Sequence, residues 1–257
     1  MEKLTDTGDR HGDVFGATQW SVILAAGESQ AGAETARAAL ARLCQTYWPP
    51  LYAYARGRGH SMHDAQDLTQ GFFLYFIAHQ VYKRADEQKG KFRCFLLASF
   101  KNFLSDARDR DTTLKRGGGR DFIPLDEGKA NSAESLFQTH YGEDNDVSAE
   151  DRLFERSWAE TLVTTTLERL GASYRSEAKE RLFEQLKSFL TVGAAPLPTY
   201  TELASRLGIA ESTLRSHVTR LRAQYREVLR AEVRRTVEKD ADVDGELREL
   251  LRVLTLT

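Results

Sequence analysis

The chain has 257 residues, 41% of them hydrophobic and 29% charged, with a formal net charge of −2. That balance excludes a chain disordered throughout, and no run approaches the roughly eighteen apolar residues that a membrane-spanning helix needs. The polar, acidic lead from Met1 to Asp13 is unlike a secretory signal, so the expectation is a soluble, helical protein of the cytoplasm with no membrane partner.

A lead-in over residues 1–33 ends in a short apolar patch around Trp20, Val22, Ile23 and Leu24. From Glu34 to Arg58 the positions Ala38, Ala39, Leu40, Leu43, Tyr47, Leu51 and Tyr54 recur every three to four residues, which predicts a helix. Pro49 and Pro50 predict a kink or break within it. Ser61 to His63 reads as a helix start, and Asp64 to Val81 as a helix burying Leu68, Phe72, Phe73, Phe76 and Ile77. Phe92 to Arg110 is a third helix with two neighbouring apolar stripes, so it is expected between two others. Gly117 to Gly119 close this module, and the segment to about Ser148 has the composition of a linker. Helices are then predicted over Ser148–Leu170 and Ser173–Leu190, a loop over Gly193–Pro198, and a weak final helix over Gly245–Leu254.

Charge follows this organisation. Lys83 to Arg120 holds eleven Lys or Arg against five acids, and Thr201 to Thr236 holds eight Arg against four Glu. Between them Asp121 to Asp151 carries nine acids against the single Lys129. Two basic modules flanking an acidic segment point to a nucleic-acid partner that the average charge conceals.

Enzymatic motifs are missing. Gly117 to Gly119 is followed by Arg120 and Asp121 instead of the Lys-Ser/Thr ending of a phosphate loop, the six His form no metal-binding pair, and no Ser sits in a nucleophile elbow. Cys44 and Cys94 have no metal-ligand spacing and read as core thiols. No catalytic residue, metal or cofactor is expected.

The strongest local signal runs from Thr199 to Arg222. Thr199 with Glu202 forms a capping box, Leu203, Ala204 and Leu207 give the first helix a buried face, and Gly208 supplies a left-handed turn that Ile209 plugs. The second helix buries Leu214, Val218 and Leu221 and turns Ser212, Ser216, Thr219 and Arg220 outward, with Arg215 at the margin and Thr213 beside them. Short polar groups and arginines suit base edges and phosphates, so this is a candidate DNA-binding helix-turn-helix. Ala210 stands where a helix cap would favour Ser or Thr. In the N-terminal module, Lys89 to Leu96 and Phe100 to Arg108 interleave bases with aromatics, as single-strand-binding surfaces do. Phe92, Phe95 and Phe103 read as core, and Lys89, Lys91, Arg93, Lys101 and Arg108 as candidate backbone contacts.

The segment from His63 to Phe73 (HDAQDLTQGFF), then Phe92-Arg93-x-Phe95-Leu96, then Asn102 and Asp106, resembles region 2 of the sigma-70 superfamily of RNA polymerase sigma factors, especially the extracytoplasmic-function class. The stretch from Thr199 to Arg222 resembles region 4. The resemblance implies an all-α chain with region 2 over 34–116, an acidic linker over 117–147, region 4 with its helix-turn-helix over 148–236, and a C-terminal extension over 237–257. It also implies core RNA polymerase and promoter DNA as partners. The helix Asp64–Ile77 would dock on polymerase through Asp64, Asp67, Gln70 and Phe73. Lys91, Arg93, Lys101, Asn102 and Arg108 would hold the melted −10 element, with Asn102 near a flipped base. Ser212, Thr213, Arg215, Ser216, Thr219 and Arg220 would meet the −35 element. Gln66 and Gly71 stand where the family usually has acids, which leaves Asp64 and Asp67, and Thr69 lies between the two departures. Thr69 reads first as an ordinary half-buried helix Thr; the second reading is a phosphosite, where a Ser/Thr kinase would restore the missing negative charge, and an anti-sigma factor is the other candidate regulator. The alternative function is a helix-turn-helix regulator that binds duplex DNA without polymerase.

Overall fold

The first long helix, α1 (Gln30–Gly57), is continuous across both prolines. Two adjacent backbone N–H donors are lost there, yet Trp48, Leu51 and Tyr52 around them are at most 2% exposed, so tertiary burial outweighs the local penalty. The expected break is absent. This is a computed structural model, and it describes residues 30–85, 91–111, 127–140, 149–176, 179–190, 197–237 and 240–255. Side chains of 30–37, 108–111, 127–130, 136, 139–140 and 240 lie outside the description.

Among the described residues the chain is all-α, with nine α-helices, three short 3₁₀ turns and no strand. Helix α2 (Met62–Ala78) starts at Ser61, whose Oγ accepts the Asp64 backbone N–H at 3.1 Å. A 3₁₀ turn follows at Val81–Arg84, then α3 (Phe92–Asp111). The aromatics expected as core do meet: Phe72 lies 5.1 Å from Phe100 and 5.7 Å from Phe103, centroid to centroid.

The stretch read as a linker contains a helix, α4 (Glu127–His140), that docks on α1. It buries Ala133, Glu134 and Phe137. Glu134 takes two hydrogen bonds from the Arg56 guanidinium, both 2.9 Å, and a third from the Tyr52 hydroxyl, while Arg56 lies over the Phe137 ring. Nothing in the local periodicity announces this, because the partners are about eighty residues away.

Helix α5 (Ala149–Ser176) is longer than its apolar pattern predicted, and the segment expected as one helix over Ser173–Leu190 is instead the end of α5, then α6 (Glu180–Leu186) and a 3₁₀ turn at Lys187–Phe189. Gly171 lets Phe183 of α6 approach closely: a Cβ there would stand 3.0 Å from the ring. Helices α7 (Tyr200–Leu207), α8 (Glu211–Arg234) and α9 (Val243–Thr255) complete the described chain.

Two buried clusters form, and their limits differ from the expected domain limits. The first joins α1, α2 and α3 to Phe154, Trp158 and Leu162 of α5, Leu229 and Val233 of α8, and Val243, Leu250 and Val253 of α9. The second joins Leu170 and Tyr174 of α5 to α6, α7 and Leu214, Val218 and Leu221 of α8. Helices α5 and α8 are antiparallel, with Arg169 bonded to Glu232 and Tyr174 to Gln224, so each contributes one half to each cluster. No described helix is long and apolar enough to cross a membrane.

Candidate nucleic-acid interface

Helices α7 and α8 are set by local chemistry. The Thr199 hydroxyl accepts the Glu202 N–H at 3.2 Å, and the Glu202 carboxylate accepts the Thr199 N–H at 3.0 Å, which holds that carboxyl below its ordinary value. Gly208 ends α7 at φ 68°, a backbone that L side chains adopt at a cost, and its N–H closes on the last turn. Ala210 then begins α8 without a side-chain cap. The two helices are tied outside the core by Glu211, which accepts from Thr201 at 3.0 Å and from the Arg215 guanidinium at 2.6 Å; Arg215 first, then Thr201, lowers its pKa. Arg215 also lies 4.7 Å over the Tyr200 ring, so its guanidinium is oriented before any ligand arrives.

With Leu214, Val218 and Leu221 buried, Ser212, Thr213, Arg215, Ser216, Thr219 and Arg220 are all exposed on α8. The Ser216 hydroxyl donates to the Ser212 carbonyl and the Thr219 hydroxyl to the Arg215 carbonyl, leaving their oxygens outward as acceptors. Exposed Arg222 and Arg226 prolong the row.

The residues expected on α3 fare differently. Asn102 is exposed, and Arg108 lies in the helix with its side chain outside the described residues. Lys101 is half-buried against Asp151 of α5, 2.7 Å away, and faces the Tyr54 ring. Lys91 is exposed but paired with Glu246 of α9 at 3.2 Å. Arg93 is no surface contact: it is 4% exposed, stacked 4.3 Å over Trp158, bonded to Glu155 at 2.8 Å and to Glu246. Burial opposes its charge, but Glu155 and Glu246 outweigh that and hold its pKa above the ordinary value. Glu155, in turn, is pushed up by burial more than Arg93 lowers it.

On α2, Asp64 and Asp67 are exposed and Gln70 is half-buried. Phe73, expected as a docking contact, is 2% exposed and belongs to the first cluster instead. Thr69 is fully buried and its hydroxyl donates to the Ala65 carbonyl at 2.7 Å, so a kinase cannot reach it in this fold and the expected phosphosite is withdrawn. Cys44 is a core thiol pushed up to about 12 by burial, whereas Cys94 is exposed, contrary to expectation.

Glu246, Glu155 and Asp151 are the residues that sequence reasoning missed. A signal existed: Glu246 shares the buried face of α9 with Val243, Leu250 and Val253 at helical spacing, where a carboxylate requires a partner. Among the described residues no group of His, Cys, Asp and Glu has the geometry of a metal site. Set against family models, curated proteins and solved structures, the chain has no significant match in any of the three.

Proposed function

We propose that the chain is a sigma-like transcription initiation factor: α7 and α8 act as a helix-turn-helix that lays α8 in the major groove, while the α2 face carrying Asp64 and Asp67 binds core RNA polymerase. The observation that carries this reading is the α8 row, six polar or cationic side chains exposed on a helix whose opposite face is fully buried. Arginines there neutralise phosphates, and Ser216 and Thr219 offer hydroxyls to base edges. Asn102, exposed on α3, is the residue best placed to meet an opened strand.

A second reading has its own support. Lys91, Arg93 and Lys101 are all engaged by the chain's own carboxylates, which leaves α8 as the more accessible cationic surface and favours a regulator that binds duplex DNA alone. Co-purification with core RNA polymerase, followed by run-off transcription on a genomic promoter library, separates the two. Association and promoter-specific transcripts support the initiation factor. Duplex binding without association overturns it in favour of the regulator.

A further inference from the structure

We propose that Lys91 and Arg93 form a binding site for a backbone phosphate of single-stranded nucleic acid, and that Glu246 of α9 fills this site in the resting chain. The proposal rests on the reading of α3 as a strand-binding helix.

Arg93 is fixed from below by α5: its guanidinium lies on the Trp158 indole and its Nε donates to Glu155 at 2.8 Å. Its Nη1 is turned the other way, to Oε2 of Glu246. The Lys91 ammonium reaches Oε1 of the same carboxylate at 3.2 Å. One anion is therefore gripped through both oxygens by two cations, one of them immobilised by partners that do not belong to α9. A phosphodiester presents two non-bridging oxygens in the same way, and charge-assisted bonds of this kind are the stronger class.

What marks the occupant as replaceable is where it sits. Glu246 is a carboxylate, its side chain 4% exposed, on a helix face otherwise made of Val243, Leu250 and Val253. An apolar residue at such a position commonly stabilises as well or better, so packing alone does not explain an acid there. Helix α9 has thirteen residues and is the last described element, held outside the core by the exposed Arg230–Asp244 pair. Exchange of one anion for the other requires local opening of α9, whose buried Val243, Glu246, Leu250 and Val253 make that opening a step that native-state hydrogen exchange reads. The neighbouring cation Lys101 repeats the pattern with Asp151, so carboxylates stand at both ends of the α3 basic row.

The test is binding of a fluorescein-labelled single-stranded DNA 12-mer to the full chain, read by anisotropy across a salt series with no polymerase present. Glu246→Gln and Glu246→Leu are expected to tighten binding about fivefold at low salt and to steepen the salt dependence by about 0.7 in slope, as one additional neutralised strand phosphate requires. Adding Lys91→Ala to Glu246→Gln is expected to abolish the gain. In the unaltered chain, saturating oligonucleotide is expected to speed hydrogen exchange across Val243–Thr255, a readout that needs no variant to fold. Unchanged affinity in folded Glu246 variants, a gain that survives Lys91→Ala, or unchanged exchange in α9 would each overturn the site. A chain that fails to associate with polymerase but shows these gains keeps the site and loses the initiation-factor reading. One that associates and shows none of them loses the site alone.

Discussion

Arg93 and Trp158 are stacked, the guanidinium carbon 4.3 Å from the indole centroid, and this contact joins the helix expected to hold DNA to the helix expected to begin a separate domain. A cation read as a DNA contact is thus the central polar tie of the first core. Replacing Arg93 with Ala removes the stack and leaves buried Glu246 and half-buried Glu155 without their main partner. We expect a loss of about 3–5 kcal/mol in urea unfolding. A loss below about 1 kcal/mol, the range of exposed pairs, would mean that the pair is wetter than its burial indicates.

The Glu134 carboxylate gives the fold a pH dependence of definite sign. Burial raises its pKa, but the hydrogen bonds from Arg56, Tyr52 and Gln138 outweigh this and leave it lowered. A carboxyl lowered in the folded state contributes stability above its unfolded pKa and loses it as pH falls through the folded one. The unfolding free energy of the unaltered chain, from urea titration, should therefore exceed that of Glu134→Gln by about 2 kcal/mol near neutrality, the scale of hydrogen bonds to a charged group. The difference should shrink as the pH drops below the ordinary Glu value of 4.5. Glu155 and Glu232 are raised, chiefly by burial, so their contributions run the opposite way: full in acid, lost as pH rises through their folded values.

The turn between α7 and α8 is expected to answer to substitution at its backbone. Gly208→Ala places a Cβ in the left-handed region and should cost about 1–2 kcal/mol, although the space around it is open. Ala210→Ser supplies the missing cap and should return about 1 kcal/mol. Thermal unfolding of the two variants tests whether conformation, and not contact, sets this turn.

Arg220→Ala should weaken duplex binding on every sequence tested and lower the salt slope by about one, as loss of a single phosphate contact does. Arg215→Ala removes a guanidinium already oriented by Glu211 and Tyr200, so its effect should depend on sequence if it reads a base. Anisotropy titrations on two unrelated duplexes distinguish these outcomes.

How much of this was legible in the sequence depended on the range of the interactions. The capping box at Thr199 and the left-handed Gly208 were readable because each device acts within a few residues. Helical projection correctly put Leu214, Val218 and Leu221 on the inner face of α8. Periodicity also put Phe73 inside, and it was the resemblance that turned it outward as a docking contact; Arg93 was misplaced because an alternation of bases and aromatics does not say which other helix covers each side. Thr69 shows the limit most plainly: its neighbours Asp67 and Gln70 are accessible to different degrees, and only the helices packed over α2 decide that its hydroxyl turns inward. Helix α4 escaped notice because Ala133 and Phe137 are too few to show a period, and the Arg56–Glu134 pair that docks it is invisible locally.

The first core contains Leu43 near one end of the described chain and Val253 near the other. During synthesis the N-terminal helices leave the ribosome first, at about 5–20 residues per second, and they do so before Trp158, Leu229 and Val253 of the same core have been made. That core therefore stays incomplete until Val243–Thr255 has been made, and a nascent chain stalled before Val243 presents to chaperones the apolar surface that Leu250 and Val253 would meet.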